Sequence, residues 1–185
     1  MKVLIACEQS GIVRDAFIAK GHSCISCDIL PTDKPGPHYH GKVEDILYRK
    51  WDMLIAFPPC THLAVSGARW WKDKSHEQSR ALFFVRLLLE QKNRIKHVCI
   101  ENPVGKISTA ICPPDQYIQP WQFGHGETKK TCLWLRGLPK LVPTNIVDGR
   151  EARIHKMPPS KDRAKLRSIT YQGIADAMAD QWSSI

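Results

Sequence analysis

Cys60 and Glu101 are the residues whose types and surroundings suit covalent chemistry. Cys60 closes the stretch Asp52-Met53-Leu54-Ile55-Ala56-Phe57-Pro58-Pro59-Cys60. Met53 to Phe57 is a short apolar run with a proline stop, which predicts a buried strand too short to be a helix. The two prolines stiffen the exit and hold the thiol just beyond the strand's carboxyl end, where open α/β sheets place their chemistry. The second stretch is His97-Val98-Cys99-Ile100-Glu101-Asn102-Pro103. It predicts another strand that ends in a polar pair and a proline. If the two strands are parallel neighbours, a nucleophile and a proton donor share one crevice.

The elements around them follow the same plan. Lys2 to Ala6 is a continuous apolar run, as expected for a strand buried on both faces. The turn Cys7-Glu8-Gln9-Ser10-Gly11 follows, with Ser10 expected to cap a helix whose stripe is Val13, Ala16 and Phe17 and which stops at Gly21. Strand, polar turn and helix make a nucleotide-binding first unit, although the turn lacks the Gly-x-Gly-x-x-Gly pattern. Ser23 to Cys27 is a second strand. Asp28 at its end can accept hydrogen bonds from ribose hydroxyls, or serve only as a loop or cap residue. Residues 31–41 read as a loop, and Ser75 to about Lys92 as an apolar helix opened by a capping box. Residues 105–119 read as irregular, 120–131 as a loop, Cys132 to Leu135 as a strand, and Ile169 to Ala179 as a closing helix.

Composition narrows the class. With 185 residues, 43% hydrophobic and 24% charged, the chain is expected to form one soluble domain, 1–185. No run has the length of a membrane span, and the amino terminus enters a strand directly, so a cytoplasmic protein is expected. Seven scattered cysteines argue against a disulfide framework. Cys24 and Cys27 have zinc-like spacing, with His38 and His40 as conceivable partners. Residues three apart on a strand face opposite sides, however, so no metal site is expected. The net charge of +9 suits an anionic partner such as nucleic acid or a nucleotide, and equally suits solubility alone. Residues 145–168 hold seven Lys or Arg against three Asp or Glu, a local net of +4. This segment is expected to be mobile, either as a phosphate-binding arm or as a solvated connection.

The Pro-Pro-Cys stretch at 58–60 and the Glu-Asn-Pro-Val stretch at 101–104 resemble the cysteine and glutamate motifs of the cytosine carbon-5 methyltransferases. The resemblance runs from the first strand to the last helix. It implies an α/β, Rossmann-like S-adenosylmethionine-dependent methyltransferase fold, a mostly parallel sheet with flanking helices. It also implies a thiolate from Cys60 at carbon 6 of the base, Glu101 at N3 and the 4-amino group, and Asn102 orienting the Pro-Pro-Cys loop. S-adenosylmethionine would be held by Cys7, Glu8, Ser10, Gly11, Asp28, Ile29, Asp45, Ile46, Phe57, Pro58, Gly173 and Ile174. Substrate contacts would come from Pro59, Ser66, Arg69, Lys130 and Thr131, with Trp70 and Trp71 as stacking surfaces or core anchors. The family places Gln-x-Arg-x-Arg before the strand near Cys132. This chain has Glu127, Lys129 and Thr131 there, so Lys129 takes the catalytic place without the bidentate fork of arginine.

About 33 residues separate Leu135 from Ile169, too few for the target-recognition domain usual in DNA-modifying members. The chain thus looks most like the short, phage-type members. Three readings follow: methylation of cytosine in DNA, methylation of a free cytosine nucleotide, or a non-catalytic nucleic-acid-binding module on the same fold.

Overall fold

The computed structural model describes all 185 residues except the side chain of Trp70, so a stacking role for that ring lies outside the described residues. In chain order the elements are β1 (Lys2–Ala6), α1 (Ile12–Ala19), β2 (Ser23–Asp28), β3 (His38–His40), α2 (Glu44–Leu47), β4 (Met53–Ala56), α3 (Ser75–Glu90), β5 (His97–Pro103), α4 (Ile107–Ala110), β6 (Gln116–Ile118), β7 (Thr131–Arg136), α5 (Arg153–Lys156), α6 (Arg163–Ser168) and α7 (Gln172–Trp182). Three short 3₁₀ turns lie between them, one at Val65–Trp70.

The seven strands form one sheet in the order β3-β2-β1-β4-β5-β7-β6. The first five pair in parallel, and β7 runs antiparallel to both β5 and β6. This is the mostly parallel α/β, Rossmann-like sheet that the sequence predicts. Period-two alternation sorts the central strands into two cores. Val3, Ile5, Met53, Ile55, Cys99, Leu133 and Leu135 face α1 and α7. Leu4, Ala6, Leu54, Ala56, Val98, Ile100, Cys132 and Trp134 face α2 and α3. Burial on both sides explains why β1 and β4 read as unbroken apolar runs. Cys24 belongs to the first core and Cys27 to the second, so the two thiols point apart.

Several local expectations are corrected. Residues 31–41 contain the edge strand β3, and 105–119 contain α4 and the edge strand β6. Three-residue strands carry too little alternation to be seen. Gln116 fixes β6 through a reciprocal pair with Leu141, its side-chain amide donating to the carbonyl at 2.7 Å and its oxygen accepting the N–H at 2.8 Å. The capping box before α3 does not form: Lys74 is the cap residue and no side chain caps it. Ser10 is not the cap residue of α1 either, although its hydroxyl oxygen accepts the Ile12 N–H at 3.4 Å. Gly11 holds that position at φ 72, and the orphan N–H groups of Val13 and Arg14 go to the buried carboxylate of Glu8 at 2.7 and 3.2 Å.

No helix among the described residues is long and apolar enough to cross a membrane.

Candidate active site

The crevice lies along the carboxyl ends of β1, β4 and β5, and the start of antiparallel β7 closes its side. Ala56 pairs with Ile100, so Phe57 to Cys60 and Glu101 leave two adjacent parallel strands at one edge. Phe57 stays in line with β1 through its N–H to the Ala6 carbonyl at 2.9 Å. Pro58 is buried and Pro59 exposed, which leaves Cys60 half-buried beyond them. Asn102, on the opposite side of β5 from Glu101, is fully buried and donates from its amide to the Pro58 carbonyl at 2.7 Å. That bond joins the two motifs directly.

The polypeptide after Cys60 doubles back tightly. The N–H groups of Leu63 and Ala64 both reach the Cys60 carbonyl, at 3.0 and 2.9 Å. Val104 and Lys106 then grip the segment through Val65 N–H to the Val104 carbonyl and Lys106 N–H to the Leu63 carbonyl. Gly105 sits at this crossing, where a Cβ atom would lie 2.0 Å from the Leu63 carbonyl oxygen. Gly105→Ala is therefore expected to push the Cys60 loop aside, costing about 1–3 kcal/mol of stability and roughly a hundredfold in turnover. Chemical denaturation and steady-state kinetics check both. Wild-type values would show that the loop does not depend on this contact.

The electrostatics of the cluster are mutual. Burial pushes the Cys60 thiol up and the Glu101 charge pushes it further, while the Lys129 ammonium, a backbone hydrogen bond and Arg167 pull it down. Burial likewise raises the Glu101 carboxyl, against Lys129 and a hydrogen bond from Thr131. Glu101 is thus biased toward the neutral acid, and its neutralisation removes a charge that disfavours the thiolate. Alkylation of Cys60 by iodoacetamide reports this balance. Glu101→Gln is expected to move the alkylation midpoint to lower pH, and Lys129→Gln to higher pH. Shifts in the reverse sense would contradict the arrangement. The other core thiols differ: burial raises Cys24, Cys27, Cys99 and Cys132, the last to about 11, and at most one cation pulls back on any of them, Arg14 at Cys24 and Lys130 at Cys132, where Lys129 and Arg167 both act on Cys60.

Strand parity sorts the residues at the start of β7. Thr131 and Lys129 face Glu101, and the Lys129 ammonium also lies 3.5 Å from the Ile169 carbonyl. Lys130 turns to the other side, 4.3 Å above the Tyr117 ring, and does not join the crevice. Ser66 and Arg69 are exposed on the 3₁₀ turn Val65–Trp70. Trp71 is half-buried under the Lys106 ammonium, which lies 5.6 Å from the ring.

The residues expected around a cofactor divide into two groups. Asp28 ends β2 half-buried, with one carboxylate oxygen accepting the Leu30 N–H at 2.9 Å. Ile29 is 70% exposed beside it. Asp45 is exposed and accepts from the Tyr39 hydroxyl and the Lys42 N–H, both at 3.2 Å. Cys7 adopts φ 59 at the end of β1. These four border the β1–β2 side of the crevice.

The side chains of Glu8, Ile46 and Ile174 do not open to the crevice. Glu8 caps α1, and the two isoleucines are buried in opposite cores because the helical turn rotates each inward. The Ser10 hydroxyl lies 3.3 Å from the Glu8 carboxylate and belongs to that cap. Gly173 packs against the Phe123 carbonyl, where a Cβ would approach to 1.9 Å, and its N–H donates to the His125 imidazole at 3.0 Å.

Three residues to which the sequence assigns no catalytic or binding role shape the site. Arg14 is fully buried and reaches Asp15, Ser26, Thr32 and the carbonyls of Lys34 and Pro35. It therefore fixes the loop after Asp28. Glu127 accepts both arms of the Arg153 guanidinium at 3.1 and 2.8 Å and the Tyr171 hydroxyl at 2.7 Å. Arg167 brings positive charge to Cys60 from α6.

No protein-family model matches the chain, and no curated protein matches its sequence. Solved structures do share its fold. A prophage-encoded E. coli protein assigned as a DNA modification methyltransferase superposes at a TM-score of 0.50 with 14% identity over 80% of this chain. The Entamoeba histolytica methyltransferase EhMeth does so at 0.55 with 16% identity, also over 80%. The chain spans 52% and 57% of the lengths of these two proteins. At such identities the likeness is one of fold.

Proposed function

We propose that this chain is an S-adenosylmethionine-dependent methyltransferase that modifies carbon 5 of cytosine in DNA. The observation that carries the reading is the meeting of Cys60, Glu101 and Lys129 at the ends of adjacent strands, in a fold shared with methyltransferases. The DNA assignment draws support from the basic charge of the chain and from the activity named for the prophage protein.

The donor set at the β1–β2 side fits the adenosine half of the cofactor. Asp28 offers a carboxylate to ribose hydroxyls, Ile29 offers exposed apolar surface to the ring, and Asp45 offers an acceptor to its amino group. S-adenosylmethionine, when bound, supplies an electrophilic methyl group.

The residues of the chain prepare carbon 5 to accept it. The Cys60 thiolate adds to carbon 6, forming the C–S bond and turning the ring into an enamine. Glu101 gives its proton to N3, where electron density accumulates, and accepts from the 4-amino group. Lys129 and Thr131 hold Glu101 in place, and Asn102 holds the Pro58 carbonyl that leads into Cys60. After transfer a base removes the carbon-5 proton, N3 returns its proton to Glu101, and the C–S electrons return to sulfur as Cys60 leaves.

A second reading has the same chemistry act on a free cytosine nucleotide. The short span between β7 and α7 and the replacement of the family's arginines by Lys129 and Thr131 favour it. Labelled S-adenosylmethionine offered with single-stranded DNA, duplex DNA and cytosine nucleotides separates the two. Label in DNA supports the first reading, label only in free nucleotide the second, and label in neither overturns both.

A further inference from the structure

Residues 153–168 form a strap across the mouth of the crevice, anchored by an ion pair at each end. At one end Arg153 forks onto Glu127 just before β7, and the neighbouring backbone is paired by Thr128 N–H to the Glu151 carbonyl and Glu151 N–H to the Gly126 carbonyl. Ile154 is buried beside this anchor. At the other end the Lys165 ammonium meets Asp33 at 2.6 Å. Asp33 follows β2 and is itself held by Gln9, which donates a side-chain N–H at 3.0 Å and accepts the Asp33 N–H on its carbonyl at 2.9 Å. β2 and β7 each stand second from an edge of the sheet. The strap therefore passes over the ends of β1, β4 and β5, a width of about 19 Å at ordinary strand spacing. Those are the strands whose carboxyl-terminal sides carry Cys7, Cys60 and Glu101.

Just past the second anchor, on the same helix α6, the strap brings one cation to the site, where Arg167 acts on Cys60. Arg167 is half-buried, while Leu166 and Ser168 beside it are exposed. The residue two further on, Ile169, touches the Lys129 ammonium through its carbonyl. Among the described residues Arg153 and Lys165 pair with carboxylates, and Arg167 does not. Glu101, Thr131 and Lys129 already answer the neutral base. A second cation at the mouth, planar and able to make two parallel hydrogen bonds, matches a phosphate.

Resting on the methyl-transfer reading above, we propose that Arg167, positioned by the ion-paired strap, binds the phosphate attached to the target cytidine. The strap thereby makes this site selective for a nucleotide over a nucleoside. The phosphate is a monoester in a free nucleotide or a diester in a strand.

The test measures equilibrium binding of deoxycytidine, deoxycytidine monophosphate and a short single-stranded cytosine-containing oligonucleotide to the full chain by calorimetry. Wild type is expected to favour at least one phosphorylated ligand over deoxycytidine by about tenfold. Arg167→Gln should bring that preference to within about twofold, and Arg167→Lys should restore part of it. Thermal melting checks that both variants fold. Loss confined to the monophosphate identifies a monoester, and loss confined to the oligonucleotide identifies a diester. No phosphate preference in wild type, or an undiminished preference in Arg167→Gln, overturns the proposal.

Methyl transfer measured in parallel separates this proposal from the reading beneath it. An Arg167-dependent preference without transfer by wild type defeats the methyl-transfer reading alone. Transfer by wild type with an unchanged nucleotide-to-nucleoside KM ratio in Arg167→Gln defeats the phosphate assignment alone.

Discussion

Cys60→Ser is expected to abolish methyl transfer, by at least about a thousandfold, while S-adenosylmethionine still binds. What the surroundings can do for each nucleophile sets the size of the effect. A thiol raised by burial and by Glu101 is still pulled back by Lys129 and Arg167, and protonation of Glu101 helps further. A serine hydroxyl starts several pKa units higher, and these cations cannot bring it into range. The adenosine-side residues Asp28, Ile29 and Asp45 stand near β1 and β2 and do not rely on the thiol. Cofactor affinity should therefore stay within about twofold, which calorimetry or cofactor fluorescence can follow. Cys112→Ser, at a half-buried cysteine away from this cluster, should retain activity. Full activity of Cys60→Ser would remove the covalent step from the mechanism.

Arg14→Met carries the largest expected effect on stability, about 2–4 kcal/mol, from a substitution outside the catalytic cluster. Its guanidinium is fully buried and joins five partners on three segments: α1, β2 and the loop from Thr32 to Pro35. Methionine fills part of the volume but donates nothing. The hydroxyls of Ser26 and Thr32 and the carbonyls of Lys34 and Pro35 each lose a partner. Asp15 is partly exposed and can return to water. A fall in melting temperature of roughly 5–15 °C is the corresponding expectation for a chain of this size. Because the same loop begins at Ile29, cofactor affinity should drop as well. A variant within about 0.5 kcal/mol of wild type, with unchanged cofactor binding, would show that the network is dispensable.

The central strands and the Cys60–Glu101 pairing are legible in the sequence because burial on both faces leaves unbroken apolar runs, and prolines mark where those runs stop. The edges are not legible. His38–His40 and Gln116–Ile118 are three-residue strands whose pairing is set by neighbours distant in sequence. Lys129 and Lys130 look like one basic pair, yet strand parity sends one to Glu101 and the other to Tyr117. Ser10 has the better capping chemistry on paper, but Gly11 takes the cap position, so Ser10 receives only the Ile12 N–H while Glu8 takes those of Val13 and Arg14. Ile46 and Ile174 flank polar or flexible positions expected to meet a cofactor, and a single step around a helix buries each of them. Arg14 gives no signal at all, since apart from the neighbouring Asp15 its partners are hydroxyls and carbonyls up to 21 residues away. The basic segment at 145–168 is visible as a charge cluster. Its path across the crevice depends on Asp33 and Glu127, which lie in two other parts of the chain.

The central claim is methyl transfer to carbon 5 through attack at carbon 6. It is tested most directly with a cytosine substrate tritiated at carbon 5 and S-adenosylmethionine carrying a labelled methyl group. The expected result is release of one tritium to water for each methyl incorporated, with 5-methylcytosine as the product and both signals lost in Cys60→Ser. Methyl incorporation without tritium release, or a methyl group found on the exocyclic amine, would contradict it.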